Sequence, residues 1–163
     1  MKRAIIHANV ITRNGILEDY AVIFSDRILD VIPSEKVPDV DETIDAKELY
    51  LAPGLIDMHI HGFGGQDVMD ATPQALETIS IGLWQNGVTA YLPTTVTMSL
   101  ADTDAALGNL RSQMAAQKTG ARILGVHMEG PYLNRQYKGA HEESLLLPPD
   151  AAYVTDYLDI MCM

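Results

Sequence analysis

The segment DMHIH at residues 57–61 carries a carboxylate and two imidazoles in alternation. Successive side chains of an extended strand point to opposite faces, so Asp57, His59 and His61 would share one face. Imidazoles two residues apart on a strand stand about 7 Å apart, close enough for both to bind one cation. The alternative is a polar strand face with two solvated histidines, but a strand in an α/β sheet has little solvent face. The segment therefore predicts a metal site.

A second segment, residues 124–129, repeats this alternation and places Gly125, His127 and Glu129 on one face. Glu129 would be the last strand residue before a Gly-Pro turn, and a carboxylate buried there must be paired, protonated or bound to metal. Two histidines on a neighbouring strand favour metal, with a capping or salt-bridged acid as the alternative. For His127, a structural histidine below the metal is favoured.

His141 follows Lys138-Gly139-Ala140 in a long predicted loop that can fold over the pocket, although a plain surface histidine is an equal alternative. Nitrogen and oxygen ligands without a thiolate admit zinc, iron(II) or manganese. A divalent ion at an open site lowers the pKa of bound water and polarises a carbonyl, which suits hydrolysis of an amide. No G-x-S-x-G or phosphate-binding P-loop is present, and Cys162 lies in a predicted strand without a histidine beside it.

The elements that must position these residues change character at Pro53-Gly54. Before this point, short apolar runs broken by turn residues predict an antiparallel β module over residues 1–52. After it, residues 53–163 alternate between strands and helices, the signature of parallel βα units and an α/β fold. Strands are predicted at 55–61, 88–95 and 122–129, helices at 72–86 and 99–120, and a short helix carries Ala151, Val154 and Leu158.

Two helix starts are predicted in detail. Thr72 would cap the first helix with Pro73 at its first position, and Ser99 would cap the second. The expected buried stripes are Leu76, Ile79 and Leu83 on the first helix, and Leu107, Leu110 and Met114 on the second.

The composition is that of an ordinary globular protein: 163 residues, 47% apolar and 20% charged, with a net charge of −11. An acidic chain with scattered Lys and Arg argues against nucleic acid or an anionic membrane as partner. One cysteine suits a reducing cytoplasm, and no apolar run is long enough for a membrane span. Three βα units cannot close an eight-stranded barrel, and residues 160–163 read as the start of a fourth strand, so we expect a truncated chain.

The motifs resemble a known family. APGLIDMHIHG at residues 52–62 resembles the opening barrel strand of the amidohydrolase superfamily, and the preceding β module resembles its N-terminal sandwich. HMEGPY at 127–132, KGAH at 138–141 and TAYLPTT at 89–95 are similar to the N-acetylglucosamine-6-phosphate deacetylases. The resemblance implies the N-terminal part of a (β/α)₈ metal-dependent hydrolase barrel preceded by a small β-sandwich.

The family hydrolyses the acetamide of N-acetylglucosamine 6-phosphate to glucosamine 6-phosphate and acetate, usually as a homodimer. By resemblance, Glu129 would be the principal metal ligand, His59 and His61 would hold a second ion, and Ala140 and His141 would contact the sugar and its amide. The resemblance places two more histidine ligands, the catalytic aspartate and the phosphate-binding basic residues beyond residue 163. We therefore expect the isolated chain to bind metal weakly and show little activity.

Two competing interpretations remain. One keeps the superfamily and changes the substrate to another amide, although Glu129 with Gly139-Ala140-His141 speaks against it. The other is a non-catalytic fragment or interaction module, whose uncovered strands would associate with a partner or another copy.

Overall fold

The computed structural model describes residues 1–161, and its internal contacts divide the chain into two compact units. The first is Met1–Pro53, and the second begins at Gly54. Of the fourth strand predicted at residues 160–163, Met161 forms an isolated parallel bridge with Val126, and residues 162 and 163 lie outside the described residues. No helix in the described part of the chain is long and apolar enough to cross a membrane.

The first unit is a five-stranded mixed sheet. Its strands are β1 (Arg3–Thr12), β2 (Gly15–Phe24), β3 (Ile28–Pro33), β4 (Glu42–Asp45) and β5 (Tyr50–Leu51). The order is β3-β2-β1-β4, with β5 also paired to β1. Two antiparallel hairpins join β1 to β2 and β2 to β3, but β4 and β5 run parallel to β1. The prediction of a wholly antiparallel module is wrong because the chain crosses from the β3 edge to the far side of β1 instead of turning back.

The second unit is built on a three-stranded parallel sheet in the order β10-β9-β6. Its elements are β6 (Leu55–Ile60), β7 (Gly62–Phe63), β8 (Gln66–Asp67), α1 (Pro73–Gln85), β9 (Val88–Pro93), α2 (Leu100–Ala116), β10 (Arg122–Ile123) and α3 (Ala151–Thr155). The strands β7 and β8 form a small hairpin directly after β6. An α/β unit with parallel strands and intervening helices is thus confirmed.

The two helix starts are confirmed at the predicted caps. Thr72 Oγ1 accepts the N–H of Ala75 at 3.2 Å, and Ser99 Oγ accepts the N–H of Asp102 at 3.2 Å. These bonds satisfy backbone donors that have no partner inside the helix. The predicted stripes pack on the sheet around Tyr91, although Met114 is only partly buried and α2 ends at Ala116, earlier than predicted.

The third predicted strand, residues 122–129, is a strand only at Arg122–Ile123. Ile123 pairs with Tyr91, whereas His127 pairs with Thr94, so the offset between the two segments changes by one residue. This shift interrupts the ladder, although His127 still donates its N–H to Pro93 O at 3.1 Å. The simple alternation predicted for this segment is therefore wrong in its middle.

The short helix α3 is held against α2 by polar contacts. Asp104 accepts the hydroxyls of Tyr153 at 2.9 Å and Tyr157 at 2.6 Å. The hydrogen bond to Asp104 raises the pKa of Tyr157 to about 12. Arg111 binds both carboxylate oxygens of Asp159 at 2.6 and 2.9 Å. Leu158, predicted to lie on this helix, follows its end and is 41% exposed.

We expect Asp104→Ala to lower the free energy of unfolding by about 0.5–1.5 kcal/mol, because two tyrosine hydroxyls lose their shared acceptor. Urea denaturation followed by circular dichroism measures the change. Tyr137→Phe is the control, since Tyr137 is 79% exposed. Equal stability of the two variants would contradict a holding role for Asp104.

Candidate metal centre

His59, His61 and Glu129 converge at the carboxyl end of the parallel sheet. The Nε2 atoms of His59 and His61 lie 3.3 Å apart, and Glu129 Oε2 lies 3.2 Å from His61 Nε2 and 3.6 Å from His59 Nε2. Within residues 1–161, these are the one group of at least three His, Cys, Asp or Glu side chains whose ligand atoms lie within 4.8 Å of one another. The structure therefore brings together the residues predicted on two separate strands.

The protonation of His61 suits a ligand. Its Nδ1 lies 3.2 Å from the carbonyl oxygen of Thr94, which can only accept, so Nδ1 carries the proton. In the neutral ring, Nε2 then offers its lone pair towards Glu129 Oε2. Two acceptors at this separation need a proton or a cation between them.

The donor set fits a small divalent cation. Ligand atoms about 2.0–2.1 Å from a tetrahedral Zn²⁺ lie about 3.3–3.4 Å from one another. The three separations in the cluster are 3.2, 3.3 and 3.6 Å. Two nitrogens and one oxygen also match the borderline character of Zn²⁺, Fe²⁺ or Mn²⁺.

His141 closes the opposite side of Glu129. Its Nε2 lies 3.3 Å from Glu129 Oε1, and its side chain is only 10% exposed, against 46% for His59. The surface alternative for His141 is therefore wrong. Lys138 Nζ donates to the carbonyl oxygen of His141 at 2.8 Å and fastens the loop, while Ala140 is exposed just before it.

Two residues of the predicted faces lie outside this cluster. The ring of His127 packs edge-on against His59 with centroids 4.8 Å apart, and its Nδ1 donates to Met58 O at 3.2 Å. Asp57 turns to the backbone and accepts the N–H of His59 at 3.1 Å. Both therefore support the orientation of His59.

The residues that sequence reasoning missed form the threonine segment, which we define as residues 94–97. Thr94, Thr95 and Thr97 are all buried. Thr94 accepts from His61 through its carbonyl, Thr95 Oγ1 accepts the Glu129 N–H at 3.1 Å, and Thr97 contacts His141. The available signal was three threonines directly after an apolar strand, at the edge where such sheets place their sites.

Gly130 allows this segment to lie against the backbone that follows Glu129. Its φ is +76°, and a Cβ built there would overlap Thr97 Oγ1. Only glycine meets both conditions without strain. Gly130 therefore couples the position of Glu129 to that of Thr97.

Comparison with curated proteins gives relatives over most of the chain. It is 38% identical over 136 residues to an N-acetylgalactosamine-6-phosphate deacetylase of Escherichia coli O157:H7, covering 83% of this chain and 35% of the relative. It is 34% identical over 146 residues to an N-acetylglucosamine-6-phosphate deacetylase of Bacillus subtilis, covering 86% of this chain and 37% of the relative. No family model matches.

Solved structures agree. The N-acetylglucosamine-6-phosphate deacetylase of Pasteurella multocida matches with a TM-score of 0.86 at 29% identity, over 99% of this chain and 43% of that one. The enzyme of Mycobacterium smegmatis, solved as a mutant in complex with N-acetyl-D-glucosamine-6-phosphate, matches with a TM-score of 0.79 at 26% identity, over 98% and 40%. Most of this chain is therefore similar in sequence and fold to N-acetylglucosamine-6-phosphate deacetylases. The resemblance inferred from the motifs is confirmed, and the chain spans little more than a third of the length of these two curated relatives.

We expect Gly130→Ala to destabilise the protein by about 1–3 kcal/mol, because it strains a left-handed backbone position and displaces Thr97. Gly108→Ala is the matched control: Gly108 lies within α2 with open space where a Cβ would be, so it should stabilise by about 0.5–1 kcal/mol. Urea denaturation measures both. Opposite signs are expected, and destabilisation by both variants to the same degree would refute the packing argument.

Proposed function

We propose that this chain belongs to a deacetylase that hydrolyses N-acetylglucosamine 6-phosphate to glucosamine 6-phosphate and acetate, as part of amino-sugar catabolism. The observation that carries this proposal is the convergence of His59, His61 and Glu129 within 3.2–3.6 Å in a chain related to deacetylases. The activity is proposed for a polypeptide of the relatives' full length, since the chain spans 37% of the Bacillus subtilis enzyme.

The proposed architecture is the first part of a (β/α)₈ barrel, preceded by part of a small β-sandwich. Parallel pairing of β6, β9 and β10, with α1 and α2 between them, supports the barrel assignment. The five-stranded sheet of the first unit supports one layer of the sandwich. The proposed domain limits are residues 1–52 and 53–163.

The proposed cofactor is a divalent metal ion, with zinc favoured over iron and manganese. Glu129 would be its principal ligand, and His59 and His61 would complete the set or hold a second ion. When bound, such an ion lowers the pKa of a coordinated water and polarises the substrate carbonyl. The protein's part is to orient these three side chains and keep the lone pair of His61 Nε2 directed at the site, which its bond to Thr94 does.

The proposed substrate contacts are the backbone of Ala140 and the side chain of His141. His141 is anchored by Thr97 and Lys138, so it offers a fixed polar group beside Glu129. The partner is thus a small amino-sugar phosphate, with no role for nucleic acid or a membrane surface. A cytoplasmic location and a homodimer are proposed with it; the single cysteine of the sequence supports the location.

A second substrate is favoured by a specific observation. The Escherichia coli relative, at 38% identity, is named for N-acetylgalactosamine 6-phosphate, which differs from the glucose form in the orientation of one hydroxyl. Both sugars carry the same acetamide and phosphate. Acetate release from the two sugar phosphates must therefore be compared directly.

We expect Glu129→Gln to abolish both metal binding and acetate release. The test joins residues 1–163 to the remaining segment of the Bacillus subtilis relative, with Glu77→Gln as a control on the surface of α1. Elemental analysis measures bound metal, and acetate release is measured with both sugar phosphates. The 163-residue chain alone should turn over at least about 10²-fold more slowly than a typical enzyme rate of about 10 s⁻¹. A folded chimera that releases no acetate, or unchanged metal content in Glu129→Gln, would refute the assignment.

The non-catalytic interpretation makes its own prediction. The strand β6 lies at the edge of its sheet, and its residues Leu55, Ile56 and Met58 are 64, 60 and 69% exposed. An uncovered apolar edge favours self-association. Sedimentation of the isolated chain should therefore show concentration-dependent association that Ile56→Thr with Met58→Thr reduces. A monomer at all concentrations would contradict this expectation.

A further inference from the structure

His141 contacts Thr97 twice through a single ring nitrogen. The Thr97 main-chain N–H donates to His141 Nδ1 at 3.3 Å, and Thr97 Oγ1 lies 2.8 Å from the same Nδ1. Thr97 is 4% exposed and the His141 side chain 10% exposed. Because both side chains are buried, water cannot take the place of these hydrogen bonds. They therefore constrain the orientation of the His141 ring more strongly than the same bonds would at the surface.

The main-chain contact identifies the tautomer, and the Thr97 hydroxyl, which donates to the same unprotonated nitrogen, stabilises it further. A backbone N–H can bond only to a nitrogen with a free lone pair, so Nδ1 of His141 is unprotonated. The neutral ring then carries its proton on Nε2, which lies 3.3 Å from Glu129 Oε1. A nitrogen that carries a proton has no lone pair for a metal. His141 is thus a donor to Glu129, the opposite of His61.

We propose that Thr97 is a positioning residue for the metal centre. By binding Nδ1 it holds His141 with Nε2–H aimed at Glu129 Oε1, which leaves Oε2 facing His59 and His61. Without this anchor the His141 ring can change tautomer and compete as a ligand, and Glu129 can rotate. The proposal rests on the proposed function, since it concerns the same cluster.

The first test reads the tautomers directly. Long-range ¹H–¹⁵N correlation spectra of the full 163-residue chain, without added metal, distinguish a protonated Nδ1 from a protonated Nε2. We expect Nε2–H for His141 and Nδ1–H for His61, which is the internal reference because its Nδ1 faces the carbonyl of Thr94. An Nδ1–H tautomer at His141 would overturn the proposal.

The second test uses matched threonine variants. Thr97→Val removes the hydroxyl, Thr97→Ser keeps it, and Thr103→Val is the control, since Thr103 is equally buried but its hydroxyl bonds to Ser99 O within α2. We expect Thr97→Val to raise the minor tautomer of His141 and to weaken Zn²⁺ binding, each by about 2- to 10-fold, as expected for one lost hydrogen bond. Thr97→Ser should restore both values to near the wild type.

Calorimetry with Zn²⁺ gives the dissociation constants, and circular dichroism confirms that each variant folds. Equal Zn²⁺ affinity and equal tautomer populations in Thr97→Val and Thr103→Val would refute the role of Thr97. A wild-type 163-residue chain that binds no Zn²⁺ would instead contradict metal binding by His59, His61 and Glu129 on their own. The tautomer measurement still decides the role of Thr97 in that case, because it needs neither metal nor turnover.

Discussion

The candidate metal centre depends on the carboxylate of Glu129, because each of its two oxygens contacts a different set of histidines. Oε1 of Glu129 faces His141, and Oε2 faces His59 and His61. A carboxylate fixed on one oxygen can present the other in a single direction, which is what a metal ligand requires. The surrounding fold matters for function to the extent that it brings these neighbours to the two oxygens.

The order of the strands explains how they meet. Because β9 is the middle strand of the order β10-β9-β6, the residues that follow it lie between those that follow its two neighbours. The threonine segment is that continuation, so it reaches His61 on one side through Thr94 and Glu129 on the other through Thr95. Polar residues are expected at this edge of a parallel sheet. Here the threonine segment forms hydrogen bonds that orient His61 and Glu129.

Some of this arrangement could be predicted from the sequence, and some could not. The caps Thr72 and Ser99 act within one turn of their helices, so local sequence was sufficient. The pair His59 and His61 follows from strand alternation. The interruption after Ile123 depends on pairing with β9 across the sheet, and no local signal reports a one-residue shift. The direction of β4 likewise depends on where the chain crosses its sheet.

The position of the proton on each histidine ring is the clearest example of a property that the sequence could not predict. His61 and His141 are the same residue type, and both ring edges face Glu129, yet their protons lie on different nitrogens. The cause is the partner of Nδ1: a carbonyl of Thr94 in one case, and an amide of Thr97 in the other. Both partners are main-chain groups of the threonine segment, three residues apart, so residue type alone carries no information about them. The direction of the backbone thus distinguishes a histidine whose Nε2 offers a lone pair, His61, from one whose Nε2 donates a proton, His141.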